Sequence, residues 1–398
     1  MISVSEAWQI IQDTMPGWPV ETLPIEQAYG RVLHEPVVAD RDQPPFHRVT
    51  MDGIGIAFAE WSSGRQQFAI AGTHPAGAPA PTLPSPESCF EVMTGAVLPE
   101  GCDCVIPVED IQVADGQATL LESADPALWK FVHRKGTDFP NGQTLLESGT
   151  LLRAPEIAVL AAVGKPRVTV SVWPLVTVVS TGDELVTPGE PVAAHQIRMS
   201  NDYAIQSALL GSGMAGCERL YLRDDPDQIR TELSRALERS QALILTGGVS
   251  KGKFDYLPEV LDELGVKKHF HRVRQRPGKP MWFGSTESGQ PVFALPGNPV
   301  SALVGFHRYV LPAIQHAAGI VPHPQSVVLG ETMSFSDHLA HFVPVSLQRI
   351  AGGPPEALPR ELNTSGDFFS LAGTDGFVEL AESSGPWKAG STVHWFQW

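Results

Sequence analysis

LVTVVS, residues 175–180, is a continuous run of apolar and β-branched residues that stops abruptly at Thr181-Gly182-Asp183-Glu184. A strand apolar on both faces belongs to a sheet covered on both faces, as in a parallel sheet wrapped by helices. Outward from it the same grammar repeats. SNDYAIQSALLGSG predicts a helix with Asn201 as N-cap, Ile205 and Leu209 one turn apart, and a stop at glycine. RLYL (219–222) is a second strand, ending in Arg223-Asp224-Asp225, and Asp225, Pro226 and Gln228 open a helix of capping-box type carrying Ile229, Leu233 and Leu237. ALILT (242–246) is a third strand, running into Gly247-Gly248-Val249-Ser250 and then Asp255. VFAL (292–295) is a fourth, followed by Pro296-Gly297-Asn298-Pro299 and the apolar helix VSALVGFHRYVLPAI. This alternation predicts an α/β domain with a parallel sheet over 171–318. Ligands bind beyond the carboxyl ends of such strands, and all four punctuated loops lie there.

Each loop has a chemical use. Gly247-Gly248 lets the backbone approach an anion closely, although a Gly-Gly pair after a strand also serves as a plain turn. The carboxylates Asp183, Glu184, Asp224 and Asp255 supply hard oxygen donors, so a divalent cation bridging phosphates could sit among them. Asp225 reads as a helix cap. HRVRQRPGKP (271–280) gathers Arg272, Arg274, Arg276 and Lys279 in an acidic chain, either as a solvated strand edge or as a clamp for an anionic ligand. Gly278 before Lys279 favours the clamp, because it lets the chain turn sharply.

Composition bounds the rest. At 398 residues and 42% hydrophobic content the chain exceeds one ordinary core, so several domains are expected. A net charge of -16 argues against a nucleic-acid surface, which needs a basic face to displace phosphate counterions. No apolar run reaches the roughly 20 residues that cross a bilayer, and MISVSEAWQIIQDTM reads as an amphipathic helix rather than a signal segment. The expectation is a cytoplasmic protein with no membrane partner. Cys89, Cys102, Cys104 and Cys217 are too few and too irregular for a disulfide framework or a structural zinc site, and read as reduced, buried thiols. Residues 42–134 mix short alternating runs such as QQFAIAG and CFEVMTG with Pro and Gly, which predicts a small β domain; after about 320 short strands return, ending in STVHWFQW.

STGDEL (180–185), RMSN (198–201), TGGVSKGKFDY (246–256), RPGKP (276–280) and LPGNPVSA (295–302), in this order, resemble the molybdenum-insertase family, the bacterial MoeA proteins and the E domain of gephyrin. MDG (51–53), MTGAVLPEGCDCVIPVED (93–110) and RKGTDF (134–139) extend the resemblance over nearly the whole chain. It implies a multidomain α/β plus β fold: an elongated N-terminal and linker domain (1–41 and 135–170), a small β domain (42–134), a central molybdopterin-binding parallel-sheet α/β domain (171–318) and a C-terminal β-barrel-like domain (319–398). It implies a homodimer and magnesium-dependent hydrolysis of adenylylated molybdopterin, with AMP release and insertion of molybdenum from molybdate. A molybdopterin adenylyltransferase is the implied upstream donor.

Carried over position by position, the resemblance gives catalytic roles to Asp52, Thr94, Asp138, Glu184, Asp224 and Asp255, with Glu184, Asp224 and Asp255 holding metal. It places substrate at Thr181, Gly182, Asp183, Ser200, Asn201, Gly247, Gly248, Val249, Ser250, Arg272, Arg276, Lys279, Pro296, Gly297, Asn298, Ser301 and Ser365. The chain also departs from the family. Arg272 and Arg276 stand where lysines are usual, which keeps charge and changes donor geometry. FHRVTMDGIG has His47, Val49 and Ile54 in place of Asp, Ser and Tyr, and Pro344 in HFVPV replaces an arginine that helps hold the oxyanion, with His47 or Arg48 as stand-ins. Two rival functions follow from the same residues: a binding or scaffold protein, and a nucleotide pyrophosphatase with no molybdate pocket.

Overall fold

The computed structural model describes residues 1–248, 256–350, 352–382 and 386–398. They form two compact units: Met1–His34, Ser148–Arg153 and Arg167–Trp398 in one, Glu35–Glu147 and Ala154–Pro166 in the other.

The larger unit is built on a six-stranded sheet. Its strands are β1 (Leu175–Thr181), β2 (Gly216–Leu222), β3 (Ala242–Thr246), β4 (Lys267–His271), β5 (Trp282–Ser285) and β6 (Pro291–Leu295), in the order β2-β1-β3-β6-β5-β4. β2, β1, β3 and β6 run parallel, and β5 runs antiparallel to both β6 and β4. The antiparallel step follows from chain length. A parallel return needs a crossover of a dozen or more residues, and the connections 272–281 and 286–290 are too short for one. Side chains alternate between two cores. Val176 and Val178 of β1 face Ile205, Leu209, Phe293 and Val300, while Val179 faces Leu233, Leu245 and Val260. Each such burial is worth about 1.5–3 kcal/mol, which is why the strand reads as apolar without interruption.

Two helical expectations need correction. The helix Asn201–Ser212 has Ser200 in the N-cap position, without a side-chain capping bond, so Asn201 is its first residue and its amide is free for other work; the helix stops at Gly213 in the left-handed region as expected. The helix predicted over VSALVGFHRYVLPAI is three pieces, Pro299–Gly305, a π-turn at Phe306–Val310, and Leu311–Ala317. The wider turn buries Phe306, His307 and Tyr309 together.

Five further strands, β7 (Gln325–Leu329), β8 (Ala340–Gln348), β9 (Glu356–Pro359), β10 (Gly376–Leu380) and β11 (Thr392–Gln397), pair in the order β8-β9-β7-β11-β10. The pairing of β10 with β8 closes them into a barrel around Val327, Leu329, Val345, Val378 and Trp395. The short strand Gln275–Arg276 pairs in parallel with Ala340–His341, and Arg308 meets Glu379 at 2.7 Å with both side chains largely buried. Both contacts tie the barrel to the α/β part of the same unit.

The second unit carries its own six-stranded sheet, in the order Cys104–Pro107, Gly53–Ile56, Ser88–Val92, Gln67–His74, Gln117–Leu120, Ile111–Ala114, over a core of Ile54, Ile56, Phe68, Cys89 and Cys104. A Cβ at Gly53 would stand 1.8 Å from the Ile106 carbonyl oxygen, so only glycine can follow Asp52 here. All four cysteines are free; burial pushes the Cys89 thiol up to about 12 and those of Cys104 and Cys217 to about 11, and raises Cys102 as well. Among the described residues no helix is long and apolar enough to cross a membrane.

Candidate functional site

The carboxyl ends of β1, β3 and β6 meet at one edge of the sheet. Gly247 and Gly248 both have positive φ, at 90° and 62°. A Cβ on Gly247 would lie 2.9 Å from the Thr181 carbonyl oxygen, and one on Gly248 would lie 2.6 Å from Leu257 Cδ1 and 3.0 Å from Thr181 Oγ1. Side chains are therefore excluded between these loops on both conformational and steric grounds. Gly297 follows the next strand, and a Cβ there would be 3.6 Å from Gly247 Cα. Asn201 reaches the same loop, its Nδ2 donating to the Gly297 carbonyl at 2.9 Å. Among the described residues, the buried Thr181 Oγ1 and Asn201 Oδ1 have no hydrogen-bond partner. Buried polar atoms without partners cost about 1–3 kcal/mol each, so a ligand that satisfies them gains that much in return.

The acidic residues lie next to this cradle. Asp183 and Glu184 are exposed at the end of β1, and Asp224 follows β2, its backbone N–H 3.5 Å from Asp183 Oδ1. Tyr221, whose hydroxyl donates to the Gly182 carbonyl at 3.1 Å, senses all three: its phenol is raised first by burial, then by Asp183, Asp224 and Glu184. Among the described residues, no three acidic, imidazole or thiol groups converge as a ready-made metal cage. Asp183, Glu184 and Asp224 still fit magnesium, a cation that keeps its waters and takes one or two carboxylates with substrate phosphates. Asp255, Val249 and Ser250 lie outside the described residues.

On the barrel side of the same unit a cavity of about 880 Å³ opens. Its walls include Arg276, Lys279, Pro296, Asn298, Ser301 and Ser365 from the expected set. Asn298 Nδ2 donates to Ser365 Oγ at 2.8 Å and the Val300 N–H donates to the Ser365 carbonyl, so residues 67 positions apart are locked together. Asp337 braces the rim, 2.6 Å from His341 Nε2 and 3.6 Å from Arg276 Nη1, and the His341 hydrogen bond leads in holding its carboxyl below the usual range. The clamp segment divides. Arg276 and Lys279 face the cavity, whereas Arg272 sits at a backbone corner with φ 80° and Arg274 pairs with Glu382 at 3.0 Å. Pro344 also lines the cavity, as do Asp337, His341 and Arg360, three residues that the sequence did not single out as site groups. The strand register that sets Val345 opposite Pro359 places Pro344 and Arg360 on one face, and no pattern in the sequence discloses that register.

The second unit holds its carboxylates in two places. Asp52 Oδ1 accepts from both the backbone N–H and the hydroxyl of Thr94, at 2.7 and 2.8 Å, and the backbone bond leads in lowering its pKa. Asp138 Oδ1 lies 2.8 Å from His133 Nε2, and His133 Nδ1 lies 3.1 Å from Arg48 Nη2. A guanidinium has no acceptor, so Arg48 donates to Nδ1 and the Nε2–H donates to Asp138. His47 is equally committed, its Nδ1 accepting from the Lys135 N–H at 3.1 Å while its ring lies against Trp129. His47 and Arg48, expected as stand-ins for a missing oxyanion donor, each place one polar atom in a contact inside this unit, His47 Nδ1 with Lys135 and Arg48 Nη2 with His133.

Three family models match the chain: the MoeA N-terminal region (domain I and II) over residues 2–164, a probable molybdopterin binding domain over 177–316, and the MoeA C-terminal region (domain IV) over 326–398. A molybdopterin molybdenumtransferase of Synechocystis sp. is 40% identical over 399 residues, covering 100% of both chains. One from Nostoc sp. is 33% identical over 80% of this chain and 75% of its own. The solved structure of a molybdopterin biosynthesis MoeA protein from Pyrococcus horikoshii superposes with a TM-score of 0.82 at 28% identity, over 100% of this chain and 99% of the other. Matched end to end in sequence and in fold, the chain belongs to the molybdopterin molybdenumtransferase (MoeA) family.

Proposed function

We propose that the chain is a molybdenum insertase, which takes adenylylated molybdopterin and molybdate, releases AMP and leaves molybdenum on the pterin dithiolene. The observation that carries this reading is the cradle at the ends of β1, β3 and β6, where side chains are excluded and the buried Thr181 hydroxyl lacks a partner among the described residues. A phosphorylated pterin nucleotide fits such an edge, because anions and flat rings both need close backbone approach.

In this reading Thr181, Gly182, Ser200, Asn201, Gly247, Gly248 and Gly297 orient the nucleotide-bearing substrate, together with Val249 and Ser250. Asp183, Glu184 and Asp224, with Asp255, hold magnesium, which when bound supplies positive charge to the pyrophosphate. Lys279 and Arg276 neutralise oxyanion charge in the cavity, and Asn298, Ser301 and Ser365 offer uncharged donors beside them. Asp52, Thr94 and Asp138 of the second unit act on the substrate, and the protein works as a homodimer. Positioning and electrostatics carry the rate. The substrate arrives from a molybdopterin adenylyltransferase, and the work is done in the cytoplasm. A plain pyrophosphatase would not need molybdate, so the response to molybdate separates the two readings.

The test is AMP release from adenylylated molybdopterin by the purified protein with magnesium, with and without molybdate. Molybdate-stimulated release that yields active cofactor supports the insertase. Release indifferent to molybdate would show a pyrophosphatase, and tight binding without release a scaffold.

A further inference from the structure

The cavity beside the barrel holds three cationic side chains, and they are not equivalent. Arg276 shares Asp337 with His341. Lys279 and Arg360 make no side-chain hydrogen bond or ion pair among the described residues, and Glu361 is the other acid on the wall. The position of Arg360 is fixed by the barrel ladder. β8 and β9 are antiparallel with Val345 opposite Pro359, and the next rung is the bond from the Arg360 N–H to the Pro344 carbonyl at 2.8 Å. Residues directly opposite on an antiparallel pair share one face of the sheet. Arg360 and Pro344 therefore stand side by side on the cavity wall, where proline offers no donor and arginine offers five.

Ser365 adds a directional group. Its Oγ accepts from Asn298 Nδ2 at 2.8 Å, which leaves its own O–H free to donate into the same space. A planar guanidinium, an ammonium and a hydroxyl around one cavity are a donor set for a compact tetrahedral dianion.

We propose that Arg360 is the guanidinium that holds the molybdate oxyanion in this cavity, acting with Lys279 and Ser365. The inference rests on the insertase reading and goes beyond it by assigning the oxyanion contact to the residue that follows β9. The same chemistry would also suit a nucleotide phosphate, so the test separates the two anions. Molybdate and, in parallel, AMP are titrated calorimetrically into the full-length protein and into Arg360→Ala, Arg360→Lys and the double variant Arg360→Ala/Pro344→Arg. Arg360 is exposed, and an unchanged unfolding midpoint establishes that Arg360→Ala is folded.

Loss of a charged hydrogen-bond donor predicts molybdate binding about 10- to 100-fold weaker in Arg360→Ala. Arg360→Lys falls between it and the native protein, since charge is kept and the planar fork lost. The double variant regains affinity, because an arginine at 344 enters the cavity from the opposite strand of the same rung. Unchanged molybdate affinity in Arg360→Ala overturns the assignment, and so does weakened AMP binding with molybdate untouched. A native protein that binds AMP but takes up no molybdate overturns the insertase reading itself along with this inference.

Discussion

The acidic edge of the sheet and the basic cavity beside the barrel hold opposite charge in opposite ways. Asp183, Glu184 and Asp224 stand two or three residues beyond β1 and β2, so each strand end delivers its carboxylate directly. The cavity draws its walls from residues 275–280, 296–301, 333–344 and 359–365, and no cation in it has meaning until the barrel closes. Local placement gives a site that survives changes elsewhere in the fold. Assembled placement makes anion binding a property of tertiary packing, and the two regions should respond differently to perturbation.

The largest separation is expected from the acidic edge. Glu184→Gln and Asp224→Asn should each lower AMP release by about 100- to 1000-fold, the cost of removing one preorganised charge from a phosphate-handling site. Molybdate affinity and the unfolding midpoint should hold. Concurrent loss of molybdate binding in a calorimetric titration would break the comparison.

Next comes the tie between barrel and sheet. Glu379→Ala strands Arg308, which packs over Tyr309 and Phe396 and has 12% side-chain exposure. Breaking a buried pair by removing one partner costs about 3 kcal/mol or more, which urea unfolding would register. Molybdate binding should weaken with it while the acidic edge keeps its magnesium affinity.

A pH effect sharpens the same point. His307 lies in the π-turn, edge-on to Trp398, and burial lowers its pKa to about 4. The unfolded chain takes up a proton near pH 6.5 and the folded chain does not, so stability is complete above that pH and falls as pH drops toward about 4. The loss should reach roughly 3 kcal/mol, and His307→Gln should flatten that part of the profile in denaturant titrations. A smaller effect is expected from Lys279→Ala: about 10-fold weaker molybdate binding, with AMP release at saturating molybdate nearly unchanged.

What the sequence disclosed follows the same division. LVTVVS, ALILT and VFAL are each apolar without a break, and their buried strands and the glycine loops after them stand where that pattern predicts. Asn201, expected as both cap and substrate contact, reaches the Gly297 loop but is not the cap, since a serine and an asparagine compete for one position and only backbone angles decide between them. The antiparallel β5 and the π-turn were not legible, because both are settled by connection length and packing rather than by periodicity. Arg360 was hidden for the same reason as the cavity. Its partner Pro344 is 16 positions away on another strand, and only the register of β8 against β9 brings them together.

Barrel closure makes β11 indispensable to its neighbours. β11 is bonded to β7 on one side and to β10 on the other, and Trp398 Nε1 donates to Thr374 Oγ1 at 2.8 Å. Trimming the final seven residues would turn two sealed seams into two sticky borders, each able to recruit a strand from a neighbouring molecule. β11 is the keystone of a ring, and any change that displaces it should open that ring on both sides.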